Sequence, residues 1–91
     1  MTYMLCRNRV ADFDRWHAVF TSHRTAHREA GLELVKLWRA VEEPNHVFFM
    51  FAVASVDQAR EFIHDPAAAE AGRASGVIDG EYYFVDDAGG Y

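Results

Sequence analysis

Residues 32–54 read LELVKLWRAVEEPNHVFFMFAVA, two apolar runs separated by Glu42-Glu43-Pro44-Asn45. Proline and asparagine punctuate turns. The stretch therefore predicts a β-hairpin with strands over 32–41 and 46–54. Its second strand decides the architecture. An antiparallel strand with one wet face alternates apolar and polar side chains. VFFMFAV does not alternate, and neither does YYFV at 82–85. Both faces of the sheet to which they belong need cover.

Upstream of the hairpin, Phe13, Trp16 and Phe20 recur at helical spacing. Asp12 can cap that helix, Asp14 lies in its first turn, and Gly31 stops it. Thr2–Val10 reads as a strand. Downstream, SVDQAREFIH opens on a capping serine and predicts a second helix, interrupted at Asp65-Pro66. PAAAEAGRASG adds further helical turns, and GEYYFVD predicts the last strand. The order β-α-β-β-α-β is the split βαβ, or ferredoxin-like, arrangement of the α+β class. It implies a four-stranded antiparallel sheet with both helices on one face. Helices cover one face only. A second copy of the sheet, packed face to face about a two-fold axis, covers the other, so a homodimer is expected. The alternative is a tightly twisted monomer with an exposed apolar face.

Bulk properties narrow the function classes. Ninety-one residues predict one domain, 1–91, with 87–91 a frayed tail. A domain of this size buries a limited share of its surface, which also favours oligomers. The net charge of −5, with no basic run, argues against a nucleic-acid partner. The single cysteine, Cys6, excludes an internal disulfide and a CxxC site. No apolar stretch approaches the roughly 20 residues of a membrane span. The opening MTYMLCRNRV lacks a signal-peptide layout. The expectation is a cytoplasmic protein without a membrane partner. No GxGxxG, P-loop, GxSxG or flavin motif is present, so no nucleotide or flavin is expected.

The stretch from Val10 to Leu32 resembles V-x-D-F/Y-x-x-W-x-x-x-F-x-x-H-x-x-x-x-x-x-x-G-L, carried here by Val10, Asp12, Phe13, Trp16, Phe20, His23, Gly31 and Leu32. The hairpin turn EEPN resembles a DDPN type, and YYFVD a terminal VYFLE type. Nearly the whole chain is thus similar to the small dimeric α+β barrel proteins, among them antibiotic-biosynthesis monooxygenases and polyketide cyclase-like proteins. That resemblance implies a pocket between sheet and helices in each subunit. Because this superfamily also holds lactone isomerases, haem-degrading enzymes and proteins without known activity, it implies the fold more strongly than the chemistry. One departure stands out. Relatives of the monooxygenase and haem-degrading type carry W-x-S-x-E-A-x-x-x-H-x-x-S-P. Here Phe62 falls where their histidine sits and Val53 where their tryptophan sits.

Candidate chemistry centres on SHRTAHREAGL, residues 22–32, where His23 and His27 lie four apart. At about 100° per residue, Trp16, Phe20 and His27 fall within about 60° of Phe13, and His23 slightly further round. Both imidazoles therefore share, or border, the stripe facing the sheet. Two histidines at this spacing can ligate metal, but zinc needs at least a third protein ligand, and His17, His46, His64 and the carboxylates stand at no diagnostic spacing. No metal or other cofactor is expected. Core packing and stabilisation by the helix dipole are the structural alternatives. The functional alternative is proton transfer. Met4, Cys6, Asn8 and Val10 are the less charged parity of the first strand, which aims Asn8 at the pocket. Tyr83 or Tyr82 on the last strand adds a phenol. Asn8 and a tyrosine can donate to a developing enolate oxygen.

The candidate catalytic set is His23, Asn8 and Tyr83. The candidate substrate wall is His27, Tyr82, Phe49, Phe51, Phe62 and Trp16. Trp38 is placed in the dimer face, where Arg7 and Arg9 can pair with acidic residues such as Glu33. Two functions stay open: a cofactor-free cyclase, isomerase or oxygenase acting on an apolar, carbonyl-bearing, aromatic or polyketide-like compound, and a binding or stress-associated barrel without chemistry.

Overall fold

The computed structural model describes residues 1–91. Strand β1 spans Thr2–Val10. Helices α1 and α2, Phe13–Ser22 and Arg24–Glu29, lead to β2, Leu32–Arg39. Strand β3 is His46–Val53. Helices α3 and α4, Val56–His64 and Pro66–Ser75, lead to β4, Val77–Asp86, and no helix or strand follows. The sheet order is β2-β3-β1-β4, and every pairing is antiparallel. This is the ferredoxin-like α+β layout that the order of apolar runs predicts. No helix is long and apolar enough to cross a membrane.

Local chemistry sets the element ends. The Asp12 carboxylate accepts the Asp14 N–H at 3.2 Å, Ser55 Oγ accepts the Gln58 N–H at 3.3 Å, and Asp65 accepts the Ala67 N–H at 2.8 Å. Pro66 then takes the first position of α4, where its missing N–H costs nothing. Gly31 leaves α2 with φ +76°, a left-handed backbone that glycine adopts without strain.

The expected single helix over 12–31 is divided at His23 (φ −96°, ψ 12°). In an unbroken helix the Val19 carbonyl would accept the His23 N–H. Instead that N–H goes to Phe20 O at 3.1 Å. The Val19 carbonyl receives the Ser22 hydroxyl at 2.6 Å and His23 Nδ1 at 2.8 Å. Two side chains outcompete one backbone bond and tighten the turn.

The two sheet faces differ in what covers them. Met4, Cys6, Val10, Leu32, Val47, Phe49 and Phe51 face the helices and are buried with Trp16 and Ala59. On β3 burial alternates although hydropathy does not: Phe49 and Phe51 are buried, Phe48 and Met50 only half-buried. The other face carries Leu5, Trp38, Tyr83 and Val85, all exposed. At one end of that face Arg7 pairs with Asp79 at 2.9 Å and Glu81 at 2.6 Å, and Arg9 with Glu43 at 3.2 Å. These arginines are therefore satisfied within the chain rather than by Glu33.

Candidate functional site

Between the inner sheet face and the helices lies a cavity of about 910 Å³. Its aromatic wall begins at Trp16 on α1, whose ring stacks 4.6 Å from Phe20, itself 5.2 Å from Phe49 and 5.9 Å from Phe51. Phe62 reaches the same cavity from α3. Aromatic rings packed at these separations make a rigid apolar surface suited to a flat ligand.

His27 stands within this wall. Its ring centroid is 5.0 Å from Phe20, 5.1 Å from Phe51 and 5.7 Å from Phe62. Burial among these rings, followed by the nearby His23, lowers its pKa from 6.5 to about 4. At neutral pH it is an uncharged, amphipathic part of the lining.

His23 is held differently. Its Nδ1 lies 2.8 Å from the Val19 carbonyl and 3.2 Å from Ser22 Oγ. A carbonyl only accepts, so in the neutral ring Nδ1 carries the proton. Nε2 is then an unprotonated lone pair on a ring that lines the cavity. The tightened turn at residues 19–23 thereby selects the tautomer as well as the ring's orientation.

Two further polar groups meet the cavity. Asn8 projects from β1 opposite Gly80 of β4. A Cβ at Gly80 would lie 2.3 Å from Asn8 Oδ1 and 2.9 Å from the Arg7 carbonyl. The missing side chain makes room for the Asn8 amide, and this residue was not among the sequence candidates. Gly80 opens the strand that GEYYFVD predicts; it falls inside a strand, where glycine often marks such a close approach, only because β4 begins earlier, at Val77. Gly80→Ala is expected to push the Asn8 amide from its seat and weaken ligand binding several-fold. Its fold cost should be about 1–3 kcal/mol, from overpacking; titration of the variant with any cavity ligand, beside a thermal melt, checks both.

The phenol is Tyr82, and the structure corrects the choice of Tyr83. Tyr82 pairs with Cys6, whose side chain points to the helices, whereas Tyr83 pairs with Leu5 on the opposite face. Successive strand residues alternate faces, so only one of the two can reach the cavity. Tyr83 instead donates its hydroxyl to Glu81, which raises its pKa and lowers that of Glu81. Cys6 also lines the cavity, but burial pushes its thiol up to about 12, so it stays protonated and is no nucleophile. No three His, Cys, Asp or Glu side chains converge as a metal-ligand set.

Sheet order, crossover helices and an inner cavity define a ferredoxin-like α+β protein. Solved structures share this fold across nearly the whole chain. A protein from Bordetella bronchiseptica, provisionally described as an antibiotic biosynthesis monooxygenase, superposes with a TM-score of 0.77 at 15% identity, covering 96% of each chain. SnoaB, a cofactor-independent oxygenase from Streptomyces nogalater solved in a mutant form, gives 0.76 at 14% identity, covering 98% of this chain and 94% of that one. An uncharacterized NIPSNAP domain protein from Burkholderia xenovorans gives 0.68 at 14% identity, covering 97% and 95%. At these identities the likeness is one of fold. No protein-family model matches the chain, and no curated protein matches it in sequence.

Proposed function

We propose that residues 1–91 form one cytoplasmic domain acting as a cofactor-free enzyme of cyclase, isomerase or oxygenase type. Its substrate is an apolar, carbonyl-bearing, aromatic or polyketide-like compound held in the 910 Å³ cavity. One observation carries this reading: Val19 O holds His23 Nδ1, which leaves Nε2 as a base beside the cavity. The description of SnoaB as a cofactor-independent oxygenase is consistent with it.

The first step is proton abstraction next to the substrate carbonyl. His23 Nε2 takes the proton. The C–H electron pair becomes the new C–C π bond, and the carbonyl π pair moves to oxygen. Asn8 Nδ2–H and the Tyr82 hydroxyl donate to that enolate oxygen. His27 and Phe62, backed by the buried rings of Trp16, Phe49 and Phe51, hold the rings flat. The enolate can then close a ring, be reprotonated elsewhere, or react with dioxygen.

Solvent deuterium exchange tests this step before any product is known. A panel of aromatic ketones with an acidic C–H is incubated with the protein in deuterated water and followed by NMR. Protein-dependent exchange is expected, and its loss in His23→Ala assigns the base. Binding without exchange for every compound would favour a non-catalytic binding barrel.

The exposed face of Leu5, Trp38, Tyr83 and Val85 supports a homodimer packed sheet to sheet. Sedimentation at micromolar concentration should show about twice the 10.4 kDa chain mass, and Trp38→Glu should return it to the chain mass. A wild-type species of 10.4 kDa would contradict the dimer.

A further inference from the structure

A second cavity, about 790 Å³, opens between α1–α2 and the start of β2. It shares Phe20, His27, Leu32 and Phe51 with the first cavity. Its floor is apolar, extended by Leu34 and Val53. Its wall holds Arg24 and Arg28, one turn apart on α2, where side chains four residues apart stand side by side.

The state of these two arginines sets them apart. The chain has nine lysines and arginines. Arg7, Arg9 and Arg73 are ion-paired. Arg15 and Arg39 donate to the Ala74 and Pro44 carbonyls, and Arg60 lies over the Phe84 ring. That leaves Arg24, Arg28 and Lys36, and two of these three line the same cavity. With Glu33 the charged side chains of the lining sum to +1, in a protein of net charge −5. The one carboxylate in the lining, Glu33, pairs with Ala52 across the β2–β3 ladder and makes no ion pair with either arginine. His17, at the same cavity, stacks on Phe13 at 5.3 Å.

We infer that this cavity is a second binding site, for a small aromatic monocarboxylate. The flat body lies on Phe20, Leu34 and Val53, and the carboxylate takes the Arg24 and Arg28 guanidiniums, whose forked donors match its two oxygens. The site does not depend on the proton chemistry assigned to His23, which lines only the other cavity.

The probe is 2-naphthoate, with neutral 2-naphthamide as its shape control, titrated calorimetrically at low salt. The wild type should bind naphthoate about tenfold more tightly, a difference of about 1.4 kcal/mol, and added salt should erode that preference. Arg24→Gln/Arg28→Gln, checked for an unchanged melt, should bind the two probes equally. His23→Ala should keep the preference. Equal affinities in the wild type, absence of saturable naphthoate binding, or a preference that survives the double arginine substitution would each overturn the site. Loss of the preference in His23→Ala would place the probe in the first cavity and overturn it as well. Failure of ketone exchange leaves this result untouched, so the two readings fall separately.

Discussion

Replacement of His23 by alanine is expected to lower turnover by about 10²–10⁴-fold, the usual contribution of a positioned general base. If the protein only binds, the same change should remove cavity-ligand binding. The fold should barely notice. The imidazole contributes one hydrogen bond, to Val19 O, worth about 1 kcal/mol. Ser22 Oγ already serves the same carbonyl at 2.6 Å and would continue to do so. Rates with an exchanging ketone, measured beside thermal melts, separate the two effects. A variant that reacts and binds like wild type would return His23 to a purely structural part in the helix turn.

Stability should fall as pH drops from about 6.5 towards 4, and His27 should be the cause. Its folded pKa is about 4, below the ordinary 6.5. Between those values the unfolded chain binds a proton that the folded chain refuses, so acid favours unfolding. The contribution is complete above about pH 6.5 and declines as pH falls through the window to the folded value. Discounted for partial exposure, the loss is about 2 kcal/mol across it. Urea melts between pH 4 and pH 7.5 measure the slope. His27→Leu should flatten this component while keeping the aromatic wall filled. His27→Ala should cost about 1–3 kcal/mol at neutral pH, because it empties a space bounded by Phe20, Phe51 and Phe62. An unchanged pH slope in His27→Leu would show that other groups carry the acid sensitivity.

Both predictions rest on distinctions that helical angles show only in part. The stripe of Phe13, Trp16, Phe20 and His27 places both imidazoles toward the sheet, with His27 nearer its centre. As far as Phe20 that is legible in spacing, because an α-helix has a fixed pitch; beyond the break at His23, the packing of His27 on Phe20, Phe51 and Phe62 places it. The tautomer of His23 is not legible. It arises because Ser22 and His23 compete with backbone for a single carbonyl, a contest between neighbours whose outcome depends on geometry. The choice between Tyr82 and Tyr83 shows the same limit. Both are aromatic and adjacent, and only the register Cys6–Tyr82 tells which face each one meets. Gly80 only opens the strand that GEYYFVD predicts, and its partner Asn8 is seventy-two residues away.

By itself the amino-acid sequence determined the element order, the caps at Asp12 and Ser55, the helix break at Asp65-Pro66, the hairpin around EEPN, and the two-sided apolar character of the sheet. These follow from periodicity, local hydrogen bonding and turn chemistry, all of which act over a few residues. Only the tertiary structure decided the division of the first helix at His23, the pairing of Arg7 with Asp79 and Glu81, and the cavity that joins His23, Asn8 and Tyr82. It also decided that Arg24 and Arg28 border a second cavity without partners of their own. Strand register and the seating of helices on a sheet bring together residues far apart in the chain, and no local pattern encodes which of them will meet.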